Sequence, residues 1–182
     1  MTTPEILFQD DFLVAINKPH GLLVHRSDLA ADASEFAVQI VRDFVGKKVF
    51  PVHRLDRKTS GVLLFALDAM TNSLMQQLFA DNLVEKIYLA IVRGFTADSG
   101  EINYPLIHEN GHEQQALTLF KTLARAEIDL PYLKHQTSRY SLVEVCPKTG
   151  RMHQIRKHFA HILHPIIGDR PHGCNKQNKL FK

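Results

Sequence analysis

Residues 61–67 read GVLLFAL, an unbroken apolar run closed by Asp68. A continuous run of this length suits a strand buried on both faces, and it anchors the assignment of its neighbours. Ahead of it, residues 5–17 are expected to form two short strands around a turn at Gln9–Asp11, and Lys18-Pro19-His20-Gly21 reads as a turn before a further extended run at 22–25. Residues 34–45 carry apolar side chains at Phe36, Ala37, Ile40, Val41 and Phe44, which is helical spacing, with Gly46 as the stop. Residues 49–52 are expected to be extended. A second helix is predicted over 69–80, capped by Asp68, and a strand over 84–92.

The second half is read more coarsely. Residues 96–115 look loop-rich, with Asp-Ser-Gly and Glu-Asn-Gly turns. Residues 116–126 and 138–145 are predicted to be paired strands joined by a polar loop containing Pro131. Residues 147–150 are a turn, and 151–163 a helix ended by His164-Pro165. Its Ile155, Phe159, Ile162 and Leu163 are expected to pack on the sheet. No element is predicted for 175–182. Strands and helices mix without a regular βα alternation, so the class is α+β with a mixed, largely antiparallel sheet flanked by helices.

Composition narrows the functional classes. At 182 residues, 45% hydrophobic and 23% charged, the chain has enough apolar content for a folded core and reads as one domain spanning 1–182. No run approaches the roughly 18 apolar residues of a membrane span, and the N-terminal stretch lacks the pattern of a secretory signal. Two cysteines, Cys146 and Cys174, do not make a disulfide scaffold and fit a reducing cytoplasm. The net charge of +3 says little, but 11 histidines would add positive charge on partial protonation.

Two segments concentrate chemistry. In residues 51–68, Asp56 stands among Arg54, Arg57 and Lys58, with His53 close by, on a loop just before the apolar run. A carboxylate among cations is expected to stay ionised, a poor general acid but a usable nucleophile or base; a neutralised surface loop is the bland alternative. In residues 148–169, Arg151, His153, Arg156, Lys157, His158, His161 and His164 make a basic, His-rich helix that suits a phosphate-bearing partner or solvent. The histidine spacing raises a metal site, but no Cys or carboxylate stands beside it at ligand spacing, so none is assigned. Tyr88 is either core or a platform for a base. No Gly-rich phosphate loop or other cofactor motif is present.

His53 to Gly61, HRLDRKTSG, resembles the catalytic motif of the RluA family of RNA pseudouridine synthases. Asn17-Lys18-Pro19 with Gly21, the strand bearing Lys86, Tyr88, Ala90, Val92 and Gly94, Gly150 to Arg156 (GRMHQIR), and His164 to Asp169 (HPIIGD) resemble further motifs of that family in its order. The resemblance implies the pseudouridine synthase fold and a cofactor-free isomerisation of a uridine in RNA. Asp56 matches the catalytic nucleophile, Tyr88 the tyrosine that stacks on the target uracil, Arg156 the basic residue that pairs with the catalytic aspartate, and Arg54 the arginine that helps hold the flipped base. Arg26, Lys58, Arg151, Lys157 and His158 are expected phosphate contacts by charge and placement. Residues 21–27 and the run through His172-Gly173 resemble a tRNA-modifying branch, so tRNA is the expected partner. Ribosomal RNA and a non-catalytic RNA-binding role are the alternatives. The resemblance also implies a missing C-terminal segment and no N-terminal S4-type domain. With no apolar stripe evident, a monomer is expected.

Overall fold

The computed structural model describes residues 4–26 and 35–181. Ser27, the last residue of the 21–27 segment that resembles a tRNA-modifying branch, and Ser34, at the expected helix start, lie outside the described residues. By its contacts the chain divides into two compact units, the first ending at Val84 and the second beginning at Glu85. The class is α+β, and the named strands pair antiparallel throughout.

The first unit holds a sheet of order β1-β2-β4-β3, made by β1 (Glu5–Gln9), β2 (Leu13–Lys18), β3 (Phe50–Pro51) and β4 (Gly61–Ala66). The apolar run is the central β4, as expected, but it is not buried on both faces. Leu63 and Phe65 are sealed while Val62 is 56% exposed. In this antiparallel sheet one face is covered and the other is not, so the strand alternates despite its uniform sequence. Helix α1 (Ala37–Val45) buries Ala37 and Val41. The expected extended run at 22–25 is not a strand. The carbonyls of Leu23 and Val24 accept from the N–H groups of Ala37 and Val38, which satisfies helix donors that the N-cap residue Phe36 cannot reach with its side chain. Helix α2 (Ala69–Ala80) lies against β3 and β4. Asp68 caps it as predicted, accepting from the Thr71 amide at 2.8 Å and the Thr71 hydroxyl at 2.7 Å. Met70 and Leu74, on one face of α2, are 75% and 58% exposed, which corrects the expectation that no apolar stripe shows.

The second unit is built on a sheet of order β5-β10-β9-β6, from β5 (Tyr88–Arg93), β6 (Ser99–Asn103), β9 (Leu117–Ile128) and β10 (Ser138–Pro147), with a small β7–β8 hairpin (Leu106–Ile107, Glu113–Gln114). Three strands therefore stand where loop was expected. β6 is short and polar with one buried side chain, Ile102, and its pairing with β9 is a long-range contact that local pattern cannot announce. Helix α3 (Gln154–His161) packs on β9 and β10. It is shorter than predicted, and Arg151 precedes it. The buried Gln154 side chain fixes the start: its carbonyl accepts from the Arg151 amide (3.0 Å) and the Thr149 hydroxyl (2.7 Å), and its amide donates to Leu117 O (3.0 Å) and Thr118 Oγ1 (2.9 Å) on β9. Ile155, Phe159 and Ile162 join the core around Val92, Val143 and Val145, as expected. Leu163 does not: it is 84% exposed with φ +63°, because the chain reverses there ahead of Pro165. A short helix α4 (Asn175–Asn178) and a 3-10 turn (Lys179–Phe181) occupy the segment for which no element was predicted. Gln177 accepts from the Tyr140 hydroxyl at 2.8 Å, and Phe181 meets the Tyr140 ring edge-on. Among the described residues, no helix is long and apolar enough to cross a membrane.

Phe159→Ala is expected to cost about 3–5 kcal/mol, because the ring is fully buried against Phe120. Leu163→Ala, on the exposed side, should change stability by less than about 0.5 kcal/mol. Urea unfolding of the two variants distinguishes the faces.

Candidate active site

The loop that carries Asp56 is tied down from beneath. Lys18 ends β2 opposite Gly61, where Pro19 stops the ladder. Its side chain is fully buried and its ammonium donates to three carbonyls: Leu22 O at 2.8 Å, Pro19 O at 3.1 Å and Arg57 O at 3.2 Å. The third of these belongs to the residue after Asp56. The turn reinforces the link. Gly21 N donates to Arg57 O (2.8 Å), Arg57 Nε donates to Gly21 O (3.2 Å), and His20 Nδ1 lies 2.9 Å from Lys58 O. Gly21 has φ +90°, which a glycine tolerates without strain. Within the loop, Thr59 N donates to Asp56 O at 3.0 Å, and buried Leu55 pins it to the core. His53 Nε2 accepts from the Leu64 amide (3.2 Å) while its ring stacks on Phe79, a structural role.

Burial pushes the Lys18 ammonium down from 10.5 to about 8, and the negative charge of Asp56 works against that fall. The electrostatic neighbour that the structure adds for Asp56 is thus a buried lysine of the preceding motif. Lys58 and Arg26 are exposed, as phosphate contacts require, and Arg54, expected to hold the flipped base, is exposed as well. Arg57 is also exposed, with its guanidinium turned to Gly21 O.

In the second unit Tyr88 sits half-buried on β5, opposite Val145, and packs against the core cluster. Arg156 on α3 makes a two-pronged ion pair with Asp169: Nε to Oδ2 at 2.9 Å and Nη2 to Oδ1 at 2.8 Å. Asp169 is buried. Desolvation opposes its ionisation, but the hydrogen bonds and charge of Arg156 outweigh it and hold the carboxyl below its ordinary value. Arg151 is exposed, with Nε on Gln115 O at 3.1 Å, and Lys157 is half-buried.

His158 is corrected. It is fully buried, and its Nε2 lies 2.9 Å from Tyr104 O. Burial lowers its pKa, so the ring is neutral, donates to that carbonyl and presents no charge to a phosphate. The other members of the histidine run take separate partners: His161 stacks on Tyr104 at 3.6 Å, and His164 Nδ1 lies 2.7 Å from Arg93 O. Among the described residues no group of His, Cys, Asp and Glu could hold a metal ion. Both cysteines are free, and Cys174 Sγ lies 3.1 Å from the Tyr132 hydroxyl.

Lys18 and Asp169 are the two residues that sequence reasoning did not single out. Each lay inside a quoted motif, but a buried ammonium and a buried carboxylate show themselves only through their partners.

These features meet a known family. The profile described as RNA pseudouridylate synthase matches residues 12–161. The chain belongs to this family of RNA-modifying isomerases. It is 47% identical to tRNA pseudouridine synthase C of Vibrio vulnificus over 189 residues, covering 98% of this chain and 77% of that protein. It is 49% identical to the protein of the same name from Haemophilus ducreyi, covering 96% and 76%. Among solved structures, human RNA pseudouridylate synthase domain containing 1 superposes with a TM-score of 0.78 at 22% identity, covering 98% of this chain and 73% of that one. Human RNA pseudouridylate synthase domain containing 4 gives 0.72 at 27% identity, with 95% and 70% covered.

Lys18→Met should destabilise the protein by about 2–4 kcal/mol, since three carbonyls lose their donor. The sign with pH follows from the lowered folded value. Below pH 8 both states hold the proton; between about 8 and 10.5 the unfolded chain holds more. The group's contribution to stability therefore rises across that window. Urea unfolding at pH 7 and pH 9.5 should show the advantage of wild type over Lys18→Met widening at the higher pH.

Proposed function

We propose that this chain converts a specific uridine of tRNA to pseudouridine, with Asp56 as the nucleophile. The observation that carries the reading is the Asp56 loop, bonded through Arg57 O to a buried ammonium. A nucleophile of this kind must be held still, and this bracing supplies that condition. The relatives named tRNA pseudouridine synthase C support tRNA over ribosomal RNA as substrate.

In the proposed reaction the bond between uracil N1 and ribose C1′ breaks and a bond between C5 and C1′ forms. A proton leaves C5 and one is taken up at N1. Asp56 makes and then releases a covalent bond, so the balance closes without oxidant, reductant or energy donor. Arg54 helps hold the target base out of its stack, a step costing about a few kcal/mol. Tyr88 stacks on the uracil and assists proton handling, and Arg156 pairs with the catalytic carboxylate. Arg26, Lys58, Arg151 and Lys157 contact phosphates. The same proposal takes the two compact units as one catalytic domain in a cytoplasmic monomer; the exposed Met70–Leu74 face of α2 makes light scattering the check on the last point.

The test is pseudouridine formation in unmodified tRNA transcripts, mapped by carbodiimide-dependent stops of reverse transcriptase, with chelator present. Wild type should give one mapped site, and Asp56→Ala should lose about three orders of magnitude or more in rate. Product that survives Asp56→Ala, or that forms only in ribosomal RNA, would overturn the reading. RNA binding without product in wild type would favour the non-catalytic alternative.

A further inference from the structure

The Arg156 pair has a structure of its own around it. Arg156 bonds to Asp169 through Nε and Nη2, so the carboxylate grips one edge of the guanidinium and sets its plane. An arginine side chain otherwise has many rotamers, and a fork on a buried acid removes most of them. The acid is in turn held by backbone. Asn178 on α4 donates from Nδ2 to Asp169 O at 2.7 Å and accepts at Oδ1 from the Gly168 amide at 2.8 Å. The strand of chain between them closes tightly on the same turn: a Cβ at Gly173 would stand 2.1 Å from Asp169 O, which leaves room for glycine alone. Asn178 thus fixes the turn, the turn fixes Asp169, and Asp169 fixes Arg156.

We propose that Asp169 is a positioning residue for the reaction: by gripping the Nε edge of Arg156, it presents the opposite edge of the guanidinium to the anionic groups of the catalytic step. Asp169 does not touch substrate. It acts through Arg156, and Asn178 acts through Asp169. The proposal rests on the functional reading above, in which Arg156 takes part in catalysis. A guanidinium displaced by about 1 Å is enough to cost on the order of a hundredfold in rate, whereas a residue needed only for folding would lower the folded fraction and leave the rate per folded molecule unchanged.

The experiment uses the whole chain and unmodified tRNA. Single-turnover rates and tRNA affinity by filter binding are measured for wild type, Asp169→Asn, Arg156→Lys and the double variant, with thermal melts to report the folded fraction. Asp169→Asn should slow single turnover ten- to a hundredfold while tRNA affinity changes by less than about threefold. In the Arg156→Lys background the same change should cost nothing further, because the edge that Asp169 aligns is already gone. A rate within threefold of wild type, or a loss that multiplies with that of Arg156→Lys, would overturn the proposal. Should Asp169→Asn fail to fold, Asn178→Ala carries the test. A slower turnover that vanishes in the Arg156→Lys background supports the proposal, and an unchanged rate overturns it. An Asp56→Ala control separates the two levels. If it is inactive while Asp169→Asn is fully active, only the positioning role falls; if it retains activity, the functional reading falls and takes this proposal with it.

Discussion

A buried ammonium ties down the loop of the first unit that carries Asp56. Lys18 lies wholly inside the protein, where a charge without partners would be prohibitively costly. It is tolerated because each of its three N–H groups meets a carbonyl, from Pro19, Leu22 and Arg57. Those bonds join the turn after β2 to the loop before β4, two segments 39 positions apart along the chain. Asp56 stands on the loop so tied, and its charge favours the protonated lysine. The arrangement is mutually dependent: the lysine needs the carbonyls to stay charged, and the loop needs the lysine to keep its path.

The second unit uses the same device with the signs reversed. Here a carboxylate is buried and a cation reaches it from α3. The sheet positions α3 through Phe159 in the core and through Gln154, whose amide bonds to β9. The chain then turns at His164-Pro165 and returns Asp169 to Arg156. In both units a buried charged group is satisfied by partners from another segment of the chain, and in both the contact braces a segment that carries a residue of the proposed chemistry, the Asp56 loop in the first and Arg156 in the second.

Much of this was legible in the sequence and some was not, for physical reasons. The strands β2, β4, β9 and β10 and the helix α2 with its Asp68 cap carry strong local patterns, and they form close to where expected. β6 and the β7–β8 hairpin were hidden because short polar strands owe their existence to pairing partners far along the chain. The motif around Asp56 was readable as a cluster of charge. What could not be read is that a buried cation supports it, since Lys18 comes from another strand and shows its burial only in the folded chain. His158 shows the converse error: charge-bearing composition suggested a phosphate contact, and helical phase placed the ring in the interior instead.

The central claim is that Asp56 faces a buried, protonated lysine. Nitrogen NMR of the Lys18 side chain, followed as a function of pH in wild type and Asp56→Asn, tests it most directly. The account predicts a titration near pH 8 in wild type and a clear shift to lower pH in Asp56→Asn, because the charge that favours the protonated form has gone. A titration near the ordinary lysine value of 10.5, or one that Asp56→Asn leaves unmoved, would contradict it.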